Sequence, residues 1–290
     1  MLYFFIFIFG LCVGSFLNVL IFRLGSDGGE NVIGGHAERG QSPAKLGGRS
    51  HCPKCGHQLA WQDLVPVLSF VLLKGRCRYC QKAISWQYPI VELATGLLFL
   101  ILSLSDSDRI FSLSDSITLI YFLFIASCLI VIFVSDLKYF IIPDEIIIAG
   151  VIGTFLYKLL SAFDFASLRS GNNLYPELVE GLKLLLPFAL SAVIASAFFL
   201  VIVLITRGRG MGLGDAKLAF LMGLVLGWPK ILPALLLAFV SGALVGLILI
   251  LAGKAKMKSE IPFGTFLAAN TFLIMLLGEK ILIRYINLII

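Results

Sequence analysis

Eight stretches of this chain are apolar and sparsely charged, and all but one are about long enough to leave water altogether. They run at about 1–22, 88–104, 117–135, 145–162, 184–205, 216–228, 231–252 and 262–285. In hydrocarbon an unpaired backbone N–H or C=O finds no water, so an apolar stretch must satisfy its own backbone, as a helix does. A span takes about 20 residues, and the short 216–228 stretch is expected to continue through the turn before it or to tilt. The expected fold class is all-α: a polytopic membrane protein with about eight transmembrane helices and one small polar unit, which holds four of the six cysteines. Composition agrees, since 59% of the 290 residues are hydrophobic and only 14% are charged, too apolar for a soluble domain.

The first stretch ends at Arg23 with no Lys or Arg before it. It lacks the basic start and small-residue cleavage site of a signal peptide, and reads as a retained helix with its N-terminus outside. Asn18 is its polar exception, either a helix–helix hydrogen bond or part of a site. The organisation expected is a first span over 1–22, a cytoplasmic zinc-binding region over 23–87, and a seven-helix membrane domain over 88–290. Within the second region, residues 24–50 are rich in Gly, Ser and charge and read as loop.

The net charge of +6 does not point to nucleic acid, because its distribution follows membrane topology. Starting outside, eight spans place 23–87, 136–144, 206–215 and 253–261 inside, where these loops and their edges hold sixteen of the twenty-three Lys and Arg residues. The loop 105–116 carries Asp106, Asp108 and Asp115 against Arg109 alone. Positive charge collects on the cytoplasmic side of such proteins.

Two carboxylates stand out against this background. Asp215 opens an apolar stretch in Gly210-Met211-Gly212-Leu213-Gly214-Asp215-Ala216-Lys217, and Asp136 closes another in Ser135-Asp136-Leu137-Lys138-Tyr139-Phe140-Ile141-Ile142-Pro143-Asp144. An ionisable group there is costly, about 2.5–3.5 kcal/mol at mid-membrane and less near an interface. By the topology above both sit at the cytoplasmic interface, at similar depth. Two carboxylates a few ångströms apart cannot both ionise easily and share a proton. The ionised one can take a proton from water while the protonated one polarises a scissile carbonyl, which is aspartic protease chemistry. The blander reading is that Lys138 and Lys217 neutralise two ordinary helix-end carboxylates. Asp144, after Pro143 and before an apolar run, is expected to cap a helix.

Cys52-Pro53-Lys54-Cys55 and Cys77-Arg78-Tyr79-Cys80 are separated by 21 residues. Paired CxxC turns of this kind hold zinc tetrahedrally, and a reducing cytoplasm disfavours disulfides. Four thiolates around zinc leave a net charge of −2, which Lys54, Arg76 and Arg78 are expected to offset. Four thiolates also leave no open position, so the metal is expected to be structural. His57 is a spare ligand candidate. Cys12 and Cys128 fall inside apolar stretches and read as packing residues.

Taken together these motifs resemble the bacterial type IV prepilin peptidases, the bifunctional leader peptidases and N-methyltransferases of the GxGD aspartic class. The resemblance covers nearly the whole chain: GSFLNVLIFR (Gly14 to Arg23), the cysteine region from Cys52 through YPIVELATG to Gly96, SDLKYFIIPDE, GMGLGDAKL, and IPFGTFLA (Ile261 to Ala268). It implies that Asp136 and Asp215 are catalytic. It further implies type IV prepilins and type II secretion pseudopilins as substrates, and S-adenosylmethionine as methyl donor. A multi-pass place in the bacterial inner membrane, among lipid, with the active site facing the cytoplasm, follows as well. Candidate cofactor residues around the cysteine region are Asn18, Arg23, Gly75, Arg76 and Glu92. Glu92 either orients the acceptor amine or pairs with Arg23. Thr265 departs from the family, which often has Pro there, and is expected to alter turn rigidity only. Two other readings stay open: a peptidase without methylation, and a non-enzymatic zinc-bearing scaffold or transporter.

Overall fold

The computed structural model describes residues 1–27, 50–105, 113–169, 174–208, 211–254 and 261–289. Most of the stretch read as loop over 24–50 lies outside these residues. Among the described residues there is no strand beyond two isolated bridges, and the chain is all-helical.

Each of the eight apolar stretches is a helix. In chain order the helices are α1 (Leu2–Asp27), α2 (Leu68–Leu72), α3 (Gln87–Ser105), α4 (Leu113–Tyr139), α5 (Asp144–Arg169), α6 (Leu174–Thr206), α7 (Leu213–Leu226), α8 (Ile231–Leu251) and α9 (Phe263–Ile289). The short α2, in the cysteine region, is the one that the apolar pattern does not announce. Among the described residues five helices are long and apolar enough to cross a membrane: α1, α3, α4, α6 and α8. The expected eight is therefore not reached by length and composition. α7 has only 14 residues, the apolar part of α9 is the shorter Phe263–Gly278, and α5 begins with Asp144 and Glu145 and carries Lys158.

The chain divides into two compact units, Met1–Asp108 and Arg109–Ile290. In the first, α1 packs along α3. Gly10 and Gly14, one turn apart on α1, make this possible. A Cβ on Gly10 would stand 2.8 Å from the Gly96 Cα, and one on Gly14 would stand 2.8 Å from the Glu92 Cα. Apolar side chains gain little from leaving lipid for protein, so membrane helices associate by such close backbone approach and by interhelical hydrogen bonds.

In the second unit α4 packs on α5 and α9, α6 packs on α5 and α7, and α8 packs on α9. Polar links within the apolar bundle follow the same logic. Asn270 Nδ2 donates to Ser241 Oγ (3.0 Å) between α9 and α8, and the Tyr121 and Tyr157 rings stack 3.9 Å apart between α4 and α5. Phe199, Phe239 and Phe263 form an aromatic cluster from α6, α8 and α9. Because Phe263 is the first residue of α9, this cluster fixes where α9 starts.

Candidate functional site

Two sites emerge, one in each unit. In the second unit Asp136 lies in the last turn of α4 and Asp215 in the first turn of α7. Both are buried, with 5% and 8% of their surface exposed. Each carboxylate is held by backbone N–H groups of a helix N-terminus, donors that a helix leaves without an internal partner. Thr265 N–H, in the first turn of α9, donates to Asp136 Oδ2 at 2.8 Å, and Gly264 N–H donates to the same carboxylate. Gly212 N–H, just before α7, donates to Asp215 Oδ2 at 3.2 Å. The two carboxylates lie within electrostatic reach of one another.

The close fit depends on small residues and one wedge. A Cβ on Gly264 would stand 2.9 Å from Asp136 Oδ2 and 2.8 Å from Ile142 Cδ1. A Cβ on Gly214 would stand 3.2 Å from the Ile142 Cβ. Ile142, in the short link between α4 and α5, is thus seated between the glycine next to Asp215 and the glycine that donates to Asp136.

The lysine reading of these aspartates is corrected. Lys217 Nζ contacts both oxygens of Asp144 at 2.7 Å, and Lys138 Nζ stands over the Tyr139 ring at 4.9 Å. Asp144 accordingly serves as an ion-pair partner in the first turn of α5, not as the cap expected of it. A cavity of about 320 Å³ beside this pair is lined by Asp144, Ile147, Ile148, Ser196, Lys217 and Phe220. Sequence reasoning also missed the roles of Gly264 and Thr265. It treated Thr265 as a matter of turn rigidity, whereas its hydroxyl closes the turn on Pro262 C=O (2.7 Å) and its N–H reaches Asp136.

In the first unit the four cysteines Cys52, Cys55, Cys77 and Cys80 converge, with all four Sγ atoms within 4.8 Å of one another. The two CxxC turns are built alike. Cys52 N–H donates to His57 C=O and Cys77 N–H to Lys82 C=O, both at 2.9 Å. The chain reverses at Gly56 (φ 69°) in one and at Gln81 (φ 58°) in the other. Zn–S bonds of about 2.3 Å in a tetrahedron fit sulfurs at this spacing. Backbone N–H from Cys80, directed at its sulfur, brings the Cys77 thiol down to about 7, whereas Cys55, although the His57 backbone N–H lowers it, is pushed up to about 11 by burial and by the neighbouring Cys52 and Cys80 sulfurs.

The cations expected to offset the thiolates are partly engaged elsewhere. Arg78 Nε pairs with Asp63 Oδ1 at 2.8 Å, and Lys54 Nζ donates to Ala83 C=O at 3.1 Å, tying the first turn to the second. His57, the spare ligand candidate, stacks on the Tyr79 ring with centroids 3.7 Å apart.

The five cofactor candidates fall into two groups. Asn18 and Glu92 lie buried on the α1–α3 seam. Asn18 Nδ2 donates to Tyr88 C=O at 3.0 Å, and one turn along, Glu92 accepts from Val67 N–H at 2.7 Å and from the Ser15 hydroxyl. Among the described residues Asn18 Oδ1 is buried without a hydrogen-bond partner. Gly75 and Arg76 instead close the turn after α2, with Gly75 N–H on Phe70 C=O (2.9 Å) and Arg76 N–H on Leu73 C=O (3.0 Å). Arg23 lies in the last part of α1, half-buried.

Comparison with known proteins gives the family. Residues 8–105 match the family model described as the bacterial peptidase A24 N-terminal domain, and residues 122–247 match the type IV leader peptidase family. The prepilin leader peptidase/N-methyltransferase of Aeromonas salmonicida strain A449 is 30% identical over 307 residues, covering 98% of this chain and 94% of the relative. The protein of the same name from Aeromonas hydrophila is 32% identical over 291 residues, 97% of this chain and 93% of its own. That of Burkholderia pseudomallei strain K96243 is 32% identical over 279 residues, covering 91% and 81%. No solved structure matches the chain. Full-length similarity of this order, on a helical membrane scaffold with a four-cysteine cluster, means that the chain belongs to the prepilin leader peptidase/N-methyltransferase family.

Proposed function

We propose that the protein removes the leader from type IV prepilins and type II secretion pseudopilins and then methylates the new N-terminus. The work is divided between the second and first units. The observation that carries the peptidase half is the placement of Asp136 and Asp215, two buried carboxylates held by backbone N–H donors, with Ile142 packed against both Gly264 and Gly214 beside them. Their lysine neighbours are engaged elsewhere, so neither is an ordinary neutralised helix end.

One carboxylate removes a proton from the attacking water. The other, protonated, hydrogen-bonds the scissile carbonyl oxygen and stabilises the charge that develops there. As the tetrahedral species collapses, the C–N bond breaks and the leaving amine takes up a proton, which restores the shared-proton state of the pair. Backbone anchoring of Oδ2 fixes both carboxylates before substrate arrives, so little reorganisation remains. The charge distribution supports a cytoplasmic position for this site and for the substrate's basic leader. The cavity between Asp144, Ile147 and Phe220 has room for a single side chain of the apolar segment that follows the cut in such substrates.

Cys52, Cys55, Cys77 and Cys80 would hold one zinc ion, whose part is to fold the small module around it. S-adenosylmethionine supplies an electrophilic methyl group. Asn18 Oδ1, buried and without a partner among the described residues, and the Glu92 carboxylate one turn away fit a cationic group such as the donor's sulfonium or the acceptor's amine. Gly75 and Arg76 stay in the proposed donor site beside this seam, since the turn that they close follows α2, whose opening residue Val67 is bonded to Glu92.

The order of reactions follows from elementary chemistry. The nitrogen to be methylated is an amide in the precursor, its lone pair delocalised into the carbonyl, so cleavage comes first. Purified protein incubated with a prepilin peptide, with and without S-adenosylmethionine, tests the whole reading. Mass spectrometry should show loss of the leader in both and an added methyl only with the donor. An unchanged peptide in both, with folded protein, overturns it.

A further inference from the structure

The cysteine region reads from sequence as a module hanging in water below the membrane. Its geometry contradicts that picture. α2 is tied to the start of α3 at two levels. Phe70, within α2, packs against Trp86, the residue before α3, with ring centroids 5.0 Å apart. Val67, which opens α2, donates its N–H to Glu92 at 2.7 Å. Glu92 is five residues into α3, about 7 Å along the axis at 1.5 Å per residue. α3 is one of the apolar helices able to cross a membrane. α2 therefore spans the depth from the mouth of that helix to more than a turn inside it.

The turn that delivers α2 to this depth is abrupt. Val67 takes a φ of 59°, a conformation that a β-branched residue adopts only under constraint. A buried carboxylate on its N–H supplies the constraint.

The outward face of α2 is apolar. Leu68, Val71 and Leu72 are 55%, 63% and 71% exposed, and their i, i+3, i+4 spacing puts them on one side of the helix. Trp61 and Trp86 are exposed nearby in the same module. Tryptophans favour the headgroup level of a bilayer. Between residues 50 and 86 the chain carries Lys54, Lys74, Arg76, Arg78 and Lys82 against Asp63 alone, a charge suited to anionic lipid headgroups.

We propose that α2 is an interfacial anchor, its Leu68, Val71 and Leu72 face seated in the lipid leaflet where α3 begins. The occupant of this face is lipid, because α3 continues directly from the module and sets its depth. The four-cysteine centre is thereby held against the membrane surface and does not hang below it.

The test uses the full chain in liposomes of phosphatidylcholine and phosphatidylglycerol. Val71→Trp is placed in a background of Trp61→Phe, Trp86→Phe and Trp228→Phe, and folding is checked by a protease-digestion pattern matching the parent. Phosphatidylcholine brominated at the 6,7-positions of its acyl chain should quench more than half of the emission, while aqueous iodide quenches little. Quenching by iodide and not by brominated lipid would place α2 in water and overturn the proposal. Quenching by neither would mean that protein, such as a second copy of the chain, covers the face, and overturns it equally. If Val71→Trp alters the digestion pattern, Leu72→Trp is read in the same way.

Discussion

The two sites solve the same problem, bringing together groups that repel one another, by opposite means. The cysteine cluster is local. Each half is a CxxC turn closed by its own hydrogen bonds, and its ligands converge because two short segments are built alike. The aspartate site is global. Asp136 is held across 129 residues by the backbone of Thr265, and its fit to Ile142 needs the absence of a side chain at Gly264. A local site can be stabilised by a metal that enters it. A global site has only the packing of the helices that carry it. The contrast says that the first should fail by losing its ion and the second by losing sub-ångström placement.

The largest expected effect tests whether the aspartates act as a chemical pair. Asp136→Asn and Asp215→Asn should each lower prepilin cleavage by about 10²–10⁴-fold or more, the scale of general acid–base catalysis. Metal content should stay at the parental level. Asp215→Asn should still transfer a labelled methyl from S-adenosylmethionine to a mature peptide that already begins with Phe. A folded mutant that transfers none while the parent does would collapse the division into two sites.

Next comes the metal. Purified protein should hold one zinc per chain, and Cys52→Ser with Cys55→Ser should lose it together with methyl transfer. Zinc supplies on the order of 10–16 kcal/mol in comparable small modules, far more than so small a region can lose and remain folded. Elemental analysis finding no zinc in active, unchelated protein breaks the local half of the comparison.

Gly264→Ala sharpens the global half. Its added methyl group falls 2.9 Å from Asp136 Oδ2, and misplacement near 1 Å can cost about 10²-fold in rate. Cleavage should drop on that scale with methylation of mature peptide unchanged. Equal loss of both would mean a general folding defect.

The smallest effect is expected at the ion pair. Lys217 and Asp144 are about half exposed, and exposed pairs contribute roughly 0–1 kcal/mol. Asp144→Asn should therefore leave cleavage within a few-fold of the parent, measured beside Asp136→Asn. A dead Asp144→Asn with an active Asp136→Asn would exchange their roles.

The same contrast explains what could be read in advance. The eight apolar stretches are legible because a membrane-spanning backbone leaves few options. Cys52, Cys55, Cys77 and Cys80 are legible because their ligand spacing is local. Asp136 and Asp215 are legible as costly charges near apolar helix ends. What holds them is not, since backbone N–H groups are present at nearly every residue and only tertiary packing selects Thr265, Gly264 and Gly212. Lys217, which the blander reading sets against its sequence neighbour Asp215, has its partner in space in Asp144 on another helix. α2 escaped notice because five residues are too few for a periodic signal. Glu92 was expected to meet an amine or Arg23, and the strained Val67 N–H that it holds has no mark in the sequence at all.

The N–H groups on Asp136 come from α9, which follows every other helix in the chain. During synthesis both aspartates emerge from the ribosome before Gly264 and Thr265 do. On the proposed function, a growing chain thus carries its two carboxylates without the α9 donors to Asp136, which arrive last. On that same reading, the last helix then acts as the safety catch, because it completes the hold on Asp136.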